Sequence, residues 1–348
     1  MKPYTLGMIT FLESGIDEKS GKVSHKERLD RAIEEIVLAD KVGLDYYGIG
    51  EHHRSDYAAS SPQIILAAAA KLTNRIHLGS AVTVLSSSDP VRIYEDFATL
   101  DVLSNGRAEI MAGRGSFIES FPLFGYDLDD YQTLFTEKLD MLLEIRKSER
   151  LTWKGGKHTP KLDNVGIYPR SIQEKLKVSI AVGGTQSSIV RAAKLGLPMI
   201  IAVLGGSPLR FKPLVDLYKH FYHEAGHNPD DMEIGIAIHG LITDKDPNDL
   251  VERYFLPHHA TFTKLGEERG WSVGHKKEYL SKVLEGPLFV GHVDDIEKRI
   301  LEVFEGLGVN RFLLQTPGSL MPHEDVLKTI ELYGNRIIPN IKKKLNKA

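Results

Sequence analysis

Glu51-His52-His53 places a carboxylate and two imidazoles directly after the apolar run 45–50. Adjacent side chains at a strand end point to opposite sides, so the two histidines do not suit one metal ion. A histidine there can instead give or take a proton near neutral pH; the bland alternative is a pair of hydrogen-bonded loop histidines. A second group, Gly183-Gly184-Thr185-Gln186-Ser187-Ser188, stands between an apolar run and a helical pattern. Its glycines allow close backbone approach, its hydroxyls can donate, and a helix N-terminus attracts anions. Thr and Ser are also ordinary helix caps, which is the structural alternative. Arg114, flanked by Gly113 and Gly115, carries a guanidinium able to fork onto a phosphate. Together the two features favour a phosphorylated cofactor.

Two further motifs fail on their surroundings. His223-Glu224-Ala225-Gly226-His227 matches the zinc-hydrolase pattern letter for letter, but that chemistry needs both histidines on one face of a continuing helix. Gly226 falls at a helix stop and Asn228-Pro229 forbids another turn, so His227 is expected outside the helix and no metal site is expected. Gly15 to Gly21-Lys22 looks like a phosphate loop, yet its spacing is one residue too long and Val23 stands where a hydroxyl is needed. A solvated loop is expected there.

The 348 residues carry 44 Lys+Arg against 47 Asp+Glu, a net charge of −3 that offers no electrostatic footprint for nucleic acid. There is no cysteine, which removes disulfides, thiolate metal sites and a cysteine nucleophile, and fits a reducing compartment. The apolar opening 4–12 is short and runs into Glu13, unlike an export signal. The apolar stretch 195–209 is broken by Pro198 and Pro208 and falls short of the ~20 residues a membrane helix needs. A cytoplasmic protein with no nucleic-acid or membrane partner is expected.

The elements that must position these residues alternate. Apolar runs at 5–12, 45–50, 75–85, 108–112, 178–182, 199–204, 234–242 and 311–315 read as eight strands. Helical patterns follow at 25–42, 62–72, from Asp89-Pro90 to Asn105-Gly106, and at 131–147, 187–195, 208–225, 246–259, 294–305 and 322–333. Residues 151–170 suit a hairpin insertion, and 259–287 read as a long irregular segment. Eight strand–helix units with no Gly-rich fingerprint after the first strand favour an α/β fold of the (β/α)8 TIM barrel type. One domain, 1–348, is expected, with insertions near 151–170 and 259–287. A barrel's chemistry lies at the carboxyl ends of its strands, which selects His52, His53, 80–82, 113–115, 183–188, 205–207 and His239.

Gly-Glu-His-His at 50–53, the run 78–84 with Ser88-Asp89-Pro90, and Leu103-Ser104-Asn105-Gly106-Arg107 occur in one order with Gly113-Arg114-Gly115, Phe124-Gly125, Gly196-Leu197-Pro198-Met199 and Val290-Gly291. This series, from Gly7 to Pro339, resembles the bacterial luciferase-like flavin monooxygenases. The resemblance implies a (β/α)8 barrel and reduced FMN, delivered by a separate flavin reductase and reacting with O2 through a flavin C4a-hydroperoxide to oxidise a small organic substrate. By position, His52 is similar to the family's catalytic histidine. Arg114, Thr185 and Ser188, with Gly184 beside them, look like phosphate ligands, and Ala81-Val82 resembles a non-proline cis peptide beneath the isoalloxazine.

Two departures accompany the resemblance. Gly113 stands where luciferase has a cysteine beside the flavin, and Ser120 where it has a carboxylate. Neither light emission nor aldehyde specificity is therefore expected. Gly113-Arg114-Gly115-Ser116-Phe117 lacks the Gly-Glu-Ala turn of the deazaflavin-dependent branch, so FMN is preferred to the deazaflavin. A non-catalytic flavin-binding partner subunit is the remaining alternative, and the retention of His52 and Arg114 argues against it. A homodimer is expected through helix 62–72, whose Ala67-Ala68-Ala69-Ala70 would leave a small-residue apolar face.

Overall fold

Parallel strands buried on both faces need apolar side chains on both, and eight short runs in this chain supply them. The computed structural model describes residues 3–17, 21–115, 117–270, 275–317 and 321–346. Its barrel strands are β1 (Thr5–Thr10), β2 (Tyr46–Ile49), β3 (His77–Ser80), β4 (Ala108–Gly113), β5 (Lys177–Val182), β6 (Met199–Ala202), β7 (Ile234–Thr243) and β8 (Arg311–Gln315). Each pairs in parallel with the next, and β8 returns to β1 in the register Thr5↔Arg311 to Ile9↔Gln315, which closes the ring.

The helices that cover the strands are α1 (His25–Val42), α2 (Pro62–Ala70), α3 (Pro90–Ser104), α4 (Tyr131–Ile145), α5 (Gln186–Lys194), α6 (Lys212–Glu224), α7 (Val293–Leu307) and α8 (His323–Leu332). Local signals set their ends. Gly43, at φ 95°, closes α1, a left-handed geometry that costs glycine little. Asp89 caps α3 by accepting the Arg92 N–H at 2.9 Å.

Side chains alternate in and out along each strand. Ile9, Tyr46, Ala81, Met111, Ile200, Ala237 and Leu313 meet inside the barrel. Below them Arg311, Glu109 and Glu233 form a buried ionic floor. Two residues above, on the same inward face, come Gly113, His239 and Gln315, and these open onto the carboxyl-end mouth.

The structure corrects several expectations. The third strand does not run unbroken through 75–85: β3 ends at Ser80 and a short strand Thr83–Val84 resumes on β4, whereas the Ala81–Val82 bond between them is cis, as the resemblance implied. Residues 259–287 are not irregular, because one helix runs Pro247–Arg269 and another Lys276–Leu284. Phe289–Val290 belongs to an extra parallel strand, Leu288–His292, paired to the upper half of β7. Gly15–Asp17 and Gly21–Val23 form an antiparallel pair rather than a solvated loop. Helix 62–72 ends at Ala70, and the chain continues past α8 into a terminal helix, Ile338–Leu345. The 151–170 segment contains a hairpin, Arg150–Trp153 with Leu162–Gly166. Among the described residues no helix is long and apolar enough to cross a membrane.

Candidate active site

His52 follows β2 and is buried, with rings of Phe11, Tyr57 and Phe117 around it at centroid distances of 5.0, 4.4 and 5.1 Å. Its Nδ1 lies 3.3 Å from Glu119 Oε1, which also accepts the backbone N–H of His53 at 3.3 Å. A carboxylate can only accept, so it favours the tautomer with the proton on Nδ1. Nε2 then keeps its lone pair and has no partner among the described residues. Burial works against the Glu119 carboxylate, yet the bond to His52 and the backbone N–H groups hold it below the usual range.

His53 is directed elsewhere. Its Nε2 pairs with Glu51 Oε1 at 2.9 Å, and its ring meets Phe124. The other oxygen of Glu51 accepts the Val84 N–H at 2.9 Å, so Glu51 ties the end of β2 to the segment that follows Val82. The two histidines diverge, as adjacent strand-end residues must.

Ala81 is buried and Val82 half-buried at the top of the interior. Gly113 leaves room for Val82: a Cβ at Gly113 would stand 2.7 Å from Val82 Cγ2. The next residue, Arg114, donates from Nη2 to Ser188 Oγ at 3.2 Å and lies 5.0 Å from the centre of the Tyr131 ring. Among the described residues no carboxylate pairs with Arg114.

Gly184, at φ 108°, turns the chain from β5 into α5, where a side chain would be strained. Thr185 occupies the N-cap position but its hydroxyl makes no capping bond. Ser188 is buried on the first turn. The simple capping alternative thus leaves the Thr185 hydroxyl and the first N–H groups of α5 uncommitted beside a guanidinium. Arg191 stands one turn beyond Ser188 on the same face. Burial, and then the neighbouring charge of Arg114, push its pKa down against Asp140. Three strand ends therefore bring His52, Val82 and Arg114 to one mouth with the start of α5.

Sequence reasoning missed Glu119 and Arg191. It placed the missing carboxylate at Ser120, whereas the preceding residue supplies one to His52. The zinc-like motif behaves as expected: α6 ends at Glu224, Gly226 takes φ 75°, and His227 Nε2 meets the Lys194 carbonyl at 2.9 Å. Among the described residues no group of three His, Cys, Asp or Glu could hold a metal ion.

A sequence profile of luciferase-like monooxygenases matches residues 5–311. The chain is 24% identical to the uncharacterized protein y4vJ of Sinorhizobium fredii over 91% of its own length and 93% of that protein. Two further curated relatives match over 45% and 59% of their own lengths. Among solved structures, the monooxygenase RslO1 of Streptomyces bottropensis is similar in fold, with a TM-score of 0.82 at 22% identity, covering 97% of this chain and 99% of that one. The oxygenating constituent of 3,6-diketocamphane monooxygenase from Pseudomonas putida, solved with FMN, gives 0.76 at 19%, covering 97% and 99%.

Proposed function

The chain belongs to the luciferase-like monooxygenase family, and on that footing we propose that it uses reduced FMN and O2 to oxidise a small organic substrate. The observation that carries this reading is the bond from Arg114 to Ser188 at the N-terminus of α5, beside an uncommitted Thr185 hydroxyl. An unpaired guanidinium, two hydroxyls and free helix N–H groups form a donor set suited to a phosphate dianion. Gly184 allows the close backbone approach, and Gly113 leaves room for the Val82 side chain. Fold neighbours include the one solved with FMN and an F420-dependent secondary alcohol dehydrogenase of TM-score 0.74 at 20% identity, so they support a flavin-type cofactor, and the preference for FMN rests on the phosphate-site residues.

Arg114, Gly184, Thr185 and Ser188 hold the phosphate on this reading, and Ala81 and Val82 support the ring. When bound, reduced FMN supplies the electrons that activate O2. The chain's own residues orient it and keep water out, and His52, through Nε2, accepts or returns a proton at the reacting face. A separate reductase supplies the reduced flavin in the cytoplasm.

The test compares FMN with riboflavin, which lacks only the phosphate. Breaking a buried charge-assisted contact costs ~2–5 kcal/mol, or about 30-fold to several-thousand-fold in affinity. Arg114→Ala should weaken FMN by that much and riboflavin little, and Ser188→Ala should do the same to a smaller degree. An unchanged ratio of the two affinities in both variants places the cofactor elsewhere. The absorbance transient on mixing the reduced complex with O2, and the mass of the co-purified chromophore, separate an FMN oxygenase from a deazaflavin enzyme.

The same reading includes a homodimer through α2. The expected four-alanine face does not form, because Ala69 and Ala70 are buried in the core; instead Ile64 and Leu72, at 69% and 59% exposure, flank the outward Ala68, an apolar stripe where a barrel helix usually faces water. Light scattering should give twice the chain mass, and Ile64→Glu should halve it.

A further inference from the structure

The floor and middle of the barrel interior are accounted for, but one wall of the mouth is not. Ala237 packs inside the barrel, so His239, two residues on along β7, projects from the same inward face at the level of Gln315. The helix Pro247–Arg269 lies over this end of β7. From it come His258 and, one turn later, Phe262, whose ring centre is 4.5 Å from His258 and 5.8 Å from His239. Tyr279, from the helix Lys276–Leu284, stands 5.5 Å behind His258.

We infer that His239, His258 and Phe262 form the substrate-recognition wall of the reaction proposed above, built for an uncharged planar molecule bearing a hydroxyl or carbonyl group. The inference rests on that reading for the identity of the pocket. Its own evidence is the chemistry of the wall. His258 is 6% exposed and its Nδ1 has no hydrogen-bond partner, a state that natural interiors rarely tolerate without a ligand or a water. Burial pushes the His258 imidazole down to about 3, with His239, Lys282 and His259 acting in the same direction. Burial alone pushes His239 down to about 4. Both rings are neutral at neutral pH, so each offers one N–H donor and one bare nitrogen acceptor. Phe262 supplies a flat apolar surface between them. Among the described residues a cation meets Lys282, which lies 5.7 Å from the Phe262 ring, and no carboxylate acts on either histidine to receive it. A hydroxyl or carbonyl on a flat apolar body satisfies the orphan nitrogen and stacks on the ring.

The experiment uses 2-naphthol, naphthalene and 2-naphthoate as probes, titrated by fluorescence into the full chain, without flavin and again with FMN bound. Wild type should prefer 2-naphthol to both. His258→Phe should lower 2-naphthol affinity about tenfold, the worth of one or two neutral hydrogen bonds, and leave naphthalene within about twofold. His258→Gln, which keeps an amide donor and acceptor, should retain most of the preference. Phe262→Ala should weaken both probes together. Far-UV melting of each variant confirms that it folds. A naphthol-to-naphthalene ratio that His258→Phe leaves unchanged overturns the proposal, as does tightest binding of 2-naphthoate. If FMN fails to bind wild type while the probe ratios follow the pattern, the cofactor reading fails and the wall stands. If FMN binds and the ratios do not move, the wall fails alone.

Discussion

Glu119 Oε1 lies 3.3 Å from His52 Nδ1 and 3.3 Å from the His53 backbone nitrogen, so one carboxylate sets both the ring and the main chain at the end of β2. On the function proposed above, Glu119 acts through His52 as a positioning residue. Glu119→Gln keeps the size but offers an amide that can donate to Nδ1 and draw the proton to Nε2. Turnover should fall between about tenfold and a hundredfold, less than the ~10²–10⁴ that a general acid–base group itself supplies, because His52 is retained. KM should stay within about twofold. Because the Glu119 carboxyl is held low, its contribution to stability is complete above the ordinary carboxyl range and is lost as pH falls through its folded value. Wild type should therefore lose stability on acidification more steeply than Glu119→Gln. Equal acid slopes in denaturant titrations, with unchanged kcat, would make the contact incidental.

Arg191 should strengthen phosphate binding behind Arg114. The mutual repulsion of two half-buried guanidiniums is relieved when an anion settles between them, while Asp140 offsets part of it. Arg191→Gln should weaken FMN by about tenfold, about 1.4 kcal/mol, and leave riboflavin unchanged. Equilibrium dialysis with the two flavins at low and physiological salt checks this, and the loss should shrink as salt rises.

Most of the barrel was legible because doubly buried parallel strands read as apolar runs and their helices as amphipathic patterns. The position of His52, Arg114 and the Gly184–Ser188 turn at one mouth was legible because the carboxyl ends of a barrel's strands share one face. What escaped has physical reasons. The residues 75–85 are apolar on both sides of Ala81–Val82, so periodicity alone read them as one strand, while the family resemblance did imply the cis peptide that is found there. The helix expected to end at 259 runs on to Arg269 through Gly266, a poor helix former, because packing against β7 and the strand Leu288–His292 carries it through. Glu119 meets His52 across 67 residues of chain, and no local spacing announces such a pair. Arg191 could have been found, since it repeats the Ser188 face three residues on.

Gly113→Ala should separate ring binding from folding. The added Cβ would stand 2.7 to 2.9 Å from three atoms of the Val82 side chain, so Val82 must move toward the mouth. Overpacking of this kind costs ~1–3 kcal/mol. A melting temperature lowered by a few degrees is expected, together with weaker binding of FMN and riboflavin alike. A variant that binds FMN normally would show that Val82 does not support the ring.

Arg311 is fully buried, donates to Glu109 and, at 2.8 Å, to Glu233, and lies 4.1 Å from the Tyr46 ring. Lys177 adds a second cation 2.8 Å from Glu233. Burial alone would raise the Glu109 carboxyl, but Arg311 and Lys177 together bring it down to about 2. A carboxyl held so low stabilises the fold fully above its ordinary value of 4.5, and that stability drains away as pH falls toward 2. Arg311→Met fills similar volume and leaves two buried carboxylates with one half-exposed lysine. Removing one partner of a buried pair costs ~3–5 kcal/mol, and that loss is expected at pH 7. In the variant, burial then dominates and raises the carboxyls, so protonation relieves the folded state as the medium is acidified. The gap in unfolding free energy between wild type and Arg311→Met should therefore narrow steadily from pH 7 to pH 3. Urea titrations at four pH values measure it, and a gap that stays constant would mean that Arg311 holds neither carboxylate in its ionised form.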